Sequence, residues 1–455
     1  MFFIKKLLFH NFLIVYRTSN WIRKHFTHNG LLFLSGTISA GVFGIDTRQT
    51  LSYQIFSLLL CVLVIAFITT LTFRSRYRIT RLLPPYGTVG DKLQYKIILS
   101  VQTAGKNENI TVMDELATDR PSFREYLNIH DKQDIKRNLF DRLIGYPRMV
   151  SLIQRKRGAF IKPAWIGTVR AGQNIEKKVE LMPIRRGYLR FNHALVARPD
   201  TFGLFRKLTR VKHTGTILIL PRCHDFPDIR LPGKRKYQHG GMTLASSVGD
   251  SEEFFSLRDY RPGDPMRNIH WRSYAKKGEP VVKEYQDEYF SRMSMVLDTF
   301  IDNKPEHLFE DAVSIAASIL TGNRQQDALL DLLFINTRTY QFTTGRGLAG
   351  VESAMEVLAC IDGTTEDNFD DLSRLVLNHT TETSGFIFVF LDWDEKRKKL
   401  VNELKLQKIP LYVIVITGQN KFDLQPDDPM YEMQDFFMAI KAGEIEKSLQ
   451  EVKYR

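Results

Sequence analysis

Three successive patterns of apolar and polar residues divide the chain. The first is nearly unbroken apolar sequence: Leu51 to Phe73 carries no charged residue and is long enough to cross a hydrocarbon layer of ~30 Å. Before it, Gly30 to Ile45 is shorter, with Gly36, Ala40 and Gly44 spaced four apart on one helical face, a pattern that lets a second helix approach closely. Together they predict a transmembrane helical hairpin over 29–73. Residues 1–28 predict an interfacial amphipathic segment, because His10 and Asn11 interrupt the apolar run of Met1 to Tyr16 that a signal peptide would need.

The second pattern is strand-like. Tyr95 to Val101, Ile110 to Val112, Gly167 to Arg170 and Thr216 to Leu220 are separated by turn signals at Gly90-Asp91, Ala104-Gly105 and Ala171-Gly172. They predict an antiparallel β-rich, sandwich-like module over 82–221. A polar and basic insertion, Ser122 to Arg157, interrupts it; its charges suit either anionic lipid headgroups or a solvated face.

After residue 291 strands and helices alternate. Met293 to Leu297, Leu329 to Ile335, Phe386 to Leu391 and Leu411 to Ile416 read as buried strands. Leu308 to Leu320, Val351 to Leu358, Leu372 to Leu377 and Lys396 to Leu404 read as helices. The alternation predicts an α/β doubly wound domain over 291–455 with a mainly parallel sheet. The fold class is therefore multidomain, as 455 residues also suggest.

Charge changes this picture in one respect. The net charge of +13 is concentrated beside the apolar segments, at Lys5, Lys6, Arg17, Arg23 and Lys24 before them and Arg74, Arg76, Arg78 and Arg81 after them. By the positive-inside rule both flanks lie in the cytoplasm, with the loop carrying Asp46 and Arg48 outside, at the inner membrane. That placement argues against nucleic acid as the partner, and no reader motif is present. Three cysteines, far apart, give no disulfide framework or zinc site.

Residues 222–290 form a connector whose centre, Pro262-Gly263-Asp264-Pro265, fixes a turn. Around it Arg258, Asp259, Arg261, Asp264 and Arg267 alternate in sign, and Tyr260, Ile269 and Trp271 supply apolar bulk, so a packed segment is expected. Glu253, Arg258, Asp259, Asp264, Arg267 and Trp271 are candidates for a binding surface, or else for a buried ion-pair network.

The run Gly249, Glu253-Phe254, Leu257-Arg258, Tyr260, Pro262-Gly263-Asp264, Arg267, Ile269 and Trp271 resembles the signature of the prokaryotic family called domain of unknown function 58. So does the upstream pair of blocks Arg185-Arg186-Gly187-Tyr188 and Arg198-Pro199-Asp200-Thr201-Phe202-Gly203-Leu204-Phe205, with Thr201 where proline is usual. The resemblance implies a membrane-anchored protein working with a MoxR-type AAA+ ATPase in an assembly or chaperone-like role.

In the last third, Asp298 and Asp392 directly follow apolar runs. Ligands bind at such strand ends, and paired carboxylates there could hold magnesium or another hard cation, or cap the following helices. The region resembles a von Willebrand factor A domain, but Phe300 and Asp302 stand where that family's metal motif has serines; Thr364 or Thr365 could add an oxygen ligand.

Enzyme signatures are thin: there is no phosphate loop, no nucleophile elbow and no His-Glu-x-x-His, and Gly345-Arg346-Gly347 is too short for a nucleotide loop. The expected function is a non-catalytic, membrane-anchored cytoplasmic interaction protein. The alternatives are a metal-dependent binding module through Asp298 and Asp392, and a hydrolase using Asp259, Asp264 and His270.

Overall fold

A computed structural model of the protein describes residues 2–43, 50–73, 75–102, 106–118, 120–128, 138, 145–227, 229, 231, 253–264, 266, 269–286, 291–301, 304–322, 328–335, 339–344, 348–365, 368–418, 422 and 424–453. Two compact units result, one of residues 1–222 with 355–361, the other of residues 223–354 with 362–455.

The first unit opens with three helices, α1 (Phe2–His25), α2 (His28–Phe43) and α3 (Thr50–Thr72). Among the described residues, α3 over Leu51–Thr72 is the one helix both long and apolar enough to cross a membrane. Helix α2 packs beside α3, and of the expected small residues Gly36 is not at the contact. Gly36 has nothing within 4 Å of where a Cβ would sit, whereas Gly41 faces the Phe56 ring at 3.1 Å. Helical geometry puts Gly41 five residues from Gly36, on another part of the cylinder. Gly44, Asp46, Arg48 and Arg74 lie outside the described residues.

Helix α1 is longer than the apolar run of Met1 to Tyr16 suggested. It buries Phe9 and Phe12 on Met149 and Ile153 of a later helix. Within the basic insertion Ser122 to Arg157, residues 129–137 and 139–144 lie outside the described residues, and two helices flank them: α4 (Phe123–Asn128) and α5 (Tyr146–Arg157). The polar reading of Ser122 to Arg157 thus missed an apolar face on α5.

Two sheets follow. One has the order β1 (Tyr77–Leu82), β3 (Leu93–Val101), β7 (Asn174–Pro183), β5 (Ala159–Ile161). The other has the order β2 (Tyr86–Thr88), β9 (Arg206–Leu220), β8 (Gly187–Pro199), β4 (Lys106–Leu116), β6 (Ala164–Arg170). Pairing is antiparallel except for β2 with β9. Alternate side chains, among them Tyr95, Ile97, Leu99, Ile110, Val112, Phe191 and Ile217, form one shared core, as period-two patterning requires. Gly90 and Gly172 turn the chain with φ of +85° and +76°, values that L side chains resist; Ala104-Gly105 lies outside the described residues.

Inside that core sits a polar cluster. Arg81 donates Nη2 to Asp114 Oδ1 at 2.6 Å, and the Tyr95 hydroxyl donates to the other carboxylate oxygen. Burial, with the Asp114 charge beside it, pushes the Tyr95 phenol well above its ordinary range.

The second unit begins with β10 (Glu253–Asp259), α6 (Trp271–Lys277) and β11 (Val281–Gln286), where β10 and β11 pair antiparallel. A six-stranded sheet follows: β12 (Ser291–Leu297), β13 (Ala328–Ile335), β14 (Thr339–Thr344), β15 (Gly385–Phe390), β16 (Leu411–Thr417) and β17 (Phe437–Lys441), in the order β14-β13-β12-β15-β16-β17. Only β14 runs antiparallel. The helices are α7 (Glu306–Gly322), α8 (Leu348–Cys360), whose residues from Met355 onward belong to the first unit, α9 (Phe369–Asn378), α10 (Glu395–Leu406) and α11 (Ile445–Lys453).

Every residue of β15 is buried, which is why its run Gly-Phe-Ile-Phe-Val-Phe is apolar without alternation. Phe386, Phe388 and Phe390 pack with Leu372 and Val376 of α9 and Leu400 and Leu404 of α10. Sequence patterning missed β14, β17 and α11, whose apolar positions are interrupted by threonine, glutamine and lysine. The edge position of β14 and β17 permits this.

Candidate functional site

The turn between β10 and α6 forms as its residues dictate. Asp264 N donates to Arg261 O at 3.0 Å, closing a four-residue turn with Pro262 second and Gly263, at φ +109°, third. Arg258 then clamps the turn with both guanidinium nitrogens, Nη1 to Asp264 Oδ2 at 2.7 Å and Nη2 to Oδ1 at 2.8 Å. Arg261 N also donates to Asp264 Oδ2 at 2.9 Å. This fork and the amide hold the Asp264 carboxyl down at about 2.

Among the described residues, few anchor the clamped turn. Ile269 bridges to Val282, and Ile269, Val281 and Val282 are buried. His270 N donates to Val281 O, and its Nδ1 lies 2.6 Å from Ser273 Oγ. Trp271, a candidate either for a binding surface or for the bulk of a packed segment, is 60% exposed, with Met266, Tyr274 and Leu257 exposed in the same segment. Trp271 is the first residue of a two-turn helix, and its ring meets Tyr274 edge to face at 6.1 Å.

The six candidates therefore separate. Arg258 and Asp264 form the clamp, and Asp259 is exposed, its carbonyl accepting from Arg258 Nη1 at 3.2 Å. Trp271 is a surface ring. Glu253 belongs to β10, but its side chain, Arg267 and Gly249 lie outside the described residues. Of the hydrolase set, Asp264 is held by Arg258 and His270 by Ser273.

The second candidate site lies where β12 and β15 diverge in winding, the usual ligand crevice of such sheets. Asp298 there is fully buried. Its Oδ2 accepts from Arg397 Nε at 2.8 Å, Arg397 Nη2 at 2.6 Å and Leu391 N at 3.0 Å, and its Oδ1 accepts from Phe300 N at 3.1 Å. Arg397 also donates Nη1 to Asp394 Oδ2 at 2.6 Å and lies 4.8 Å from the Phe369 ring centroid. Burial alone would lower the guanidinium, but the two carboxylates outweigh it and hold Arg397 above its ordinary value.

A guanidinium thus fills the place that the sequence reading gave to a metal. Phe300 turns into the core against Phe369, Thr364 pairs with Phe300 through backbone, and Thr365 is exposed. Asp392 is half exposed and pairs with Lys304 Nζ at 3.0 Å. These donors do not fit a divalent cation, and among the described residues no group of three or more His, Cys, Asp or Glu gathers. Neither aspartate caps a long helix: the N-cap of α10 is Asp394, which accepts from Arg397 N. Asp302 and Gly345-Arg346-Gly347 lie outside the described residues. The sequence signal for Arg397 was Asp394-x-x-Arg397, a spacing that brings both to one helical face.

A third feature went unrecognised in sequence. Asp200, in the upstream block, accepts from the amides of Phe202, Leu204 and Phe205 at 2.9, 2.7 and 2.7 Å. The hairpin it shapes is a seat for the helices. Thr27 N and its hydroxyl donate to Leu204 O, Gly30 leaves no room for a Cβ against that carbonyl, and Leu204 packs with Leu63 and Ala66 of α3. In the other block Gly187 has φ +100°, and Arg186 donates to the Leu358 and Ile361 carbonyls within the first unit.

The family model described as "Protein of unknown function DUF58" matches residues 256–420, a span containing both candidate sites. A curated relative, the uncharacterized protein YeaD of Bacillus subtilis, is 26% identical over 143 residues, which is 31% of this chain and 34% of that protein. The chain thus matches about a third of that relative's length. Solved structures with partial likeness include the CARDB domain of a Pyrococcus furiosus protein, at 9% identity and TM-score 0.18 over 32% of this chain and 89% of that one. Another is a cohesin module from Clostridium perfringens, at 13% identity and TM-score 0.15 over 32% of this chain and 98% of that one. Neither likeness bears on function at those scores.

Proposed function

We propose that this protein is a non-catalytic, membrane-anchored interaction protein that docks a protein partner on the β10–α6–β11 segment. The observation that carries the reading is the exposed pair Trp271 and Tyr274, next to exposed Met266 and Leu257 and the exposed cations Arg261, Arg272 and Lys276. Trp, Tyr, Met and Arg are the residues enriched at protein interfaces, and a solvated turn has no other use for such side chains. The fork of Arg258 on Asp264 preorganises the surface, which lowers the ordering cost of binding.

The family resemblance implies a partner of one kind, a MoxR-type AAA+ ATPase, and the family match over residues 256–420 includes the turn and helix α6. In this reading α3, paired with α2 as a hairpin, supplies the anchor, and the basic flanks favour the cytoplasmic side for both soluble units. In this reading the second unit is a von Willebrand factor A-like domain whose cation is replaced by Arg397.

Affinity capture from detergent extract with nucleotide trapping tests the partner. An AAA+ ATPase recovered with the native chain and lost with Trp271→Ala/Tyr274→Ala supports the reading. Recovery of none, or equal recovery by the variant, overturns it.

A further inference from the structure

Helix α1 has two apolar faces, and the structure covers only one. Phe9 and Phe12 are buried on Met149 and Ile153, with Tyr16 packed beside them. On a helix of 3.6 residues per turn, Leu7, Ile14 and Trp21 recur every seven residues on roughly the opposite side. All three, with Val15, are more than half exposed. A soluble surface would place polar residues there.

Charge selects the occupant. Lys5, Lys6, Arg17 and Arg23 are exposed on α1, and no acidic residue occurs between Phe2 and His25. Position agrees with charge. Trp21 contacts Phe26 at 6.3 Å, Phe26 contacts Phe205 at 4.8 Å, and Phe205 contacts Phe67 of α3 at 6.1 Å. The exposed stripe is thereby continuous with the last turns of the candidate span, and tryptophan belongs at the level where a span leaves the bilayer.

We infer that α1 lies in the membrane interface, with Leu7, Ile14 and Trp21 against the acyl boundary and Lys6 and Arg17, which flank that stripe, on anionic headgroups. This rests on the anchoring part of the proposed function and adds a second lipid contact. Since the other face of α1 grips α5, and Lys24 pairs with Glu115 of β4, α1 ties the β-sheet unit to the bilayer surface.

The full chain, with Cys61, Cys223 and Cys360 replaced by Ala, is labelled at a single new cysteine with an environment-sensitive fluorophore and reconstituted into vesicles. Ile65→Cys reports α3, Ile14→Cys reports α1, and Lys178→Cys reports a solvated strand. With anionic vesicles, nitroxide on the lipid quenches the labels at Ile65 and Ile14 but not at Lys178. Lys6→Gln and Arg17→Gln each lower the ratio of seated to released α1 about fivefold, and zwitterionic vesicles remove that dependence.

An unquenched Ile65 overturns the anchoring itself. Quenching at Ile65 with a wet Ile14 overturns only the placement of α1, as does crosslinking between Ile14→Cys labels of two copies, which would make the stripe a self-association face. Quenching indifferent to both protein and lipid charge overturns the anionic-headgroup assignment.

Discussion

The second unit uses the same pair of side chains twice, to opposite ends. Arg397 and Asp298 are buried, whereas Arg258 and Asp264 keep part of their surface in water. Both carboxylates accept from a guanidinium and from backbone amides. Burial decides what each pair does. Removing one partner inside leaves an uncompensated charge in a low-dielectric setting, while water repairs most of the same loss outside. The inner pair therefore holds the strand ends together, and the outer one sets the shape of a surface turn.

Breaking the inner pair should have the largest effect. Arg397→Ala is expected to cost about 3–5 kcal/mol in denaturant unfolding, and Asp298→Asn/Arg397→Met should recover much of it. A loss as small as that of Arg258→Ala would end the comparison. Next comes Asp200→Ala, which strips three amides of their acceptor and is expected to cost about 1.5–3 kcal/mol. Because that hairpin seats Thr27 and Gly30, it should also raise proteolysis near Thr27, and unchanged cleavage would refute the seat.

The outer pair gives a sharper test through pH. Asp264 titrates lower in the folded chain than its ordinary 3.8, so its contribution to stability is present above about 4 and is lost as pH falls toward about 2. A carboxyl resonance of Asp264 should show a midpoint of about 2 and return toward the ordinary value in Arg258→Ala. A midpoint already ordinary in the native chain would contradict the fork. The smallest effect on stability is expected for Trp271→Ala, whose unfolding midpoint should hardly move because its ring lies on the surface; a large drop would make Trp271 a packing residue.

Much of the architecture was readable because it depends on local periodicity. The uncharged run of α3, the turn at Pro262-Gly263 and the apolar strands β12, β13, β15 and β16 follow from side-chain spacing and backbone preference, which the chain states residue by residue. Spacing also brought Asp298 and Asp392 forward as strand-end residues. What only the tertiary structure decided were the partners. Arg397 meets Asp298 across 99 positions of sequence, Leu204 meets Thr27 across 177, and Trp271 turned outward where its sequence context left binding surface and packed segment both open. Such choices depend on which surfaces the folded chain brings within a few ångströms, and no local pattern encodes a distance between residues so far apart.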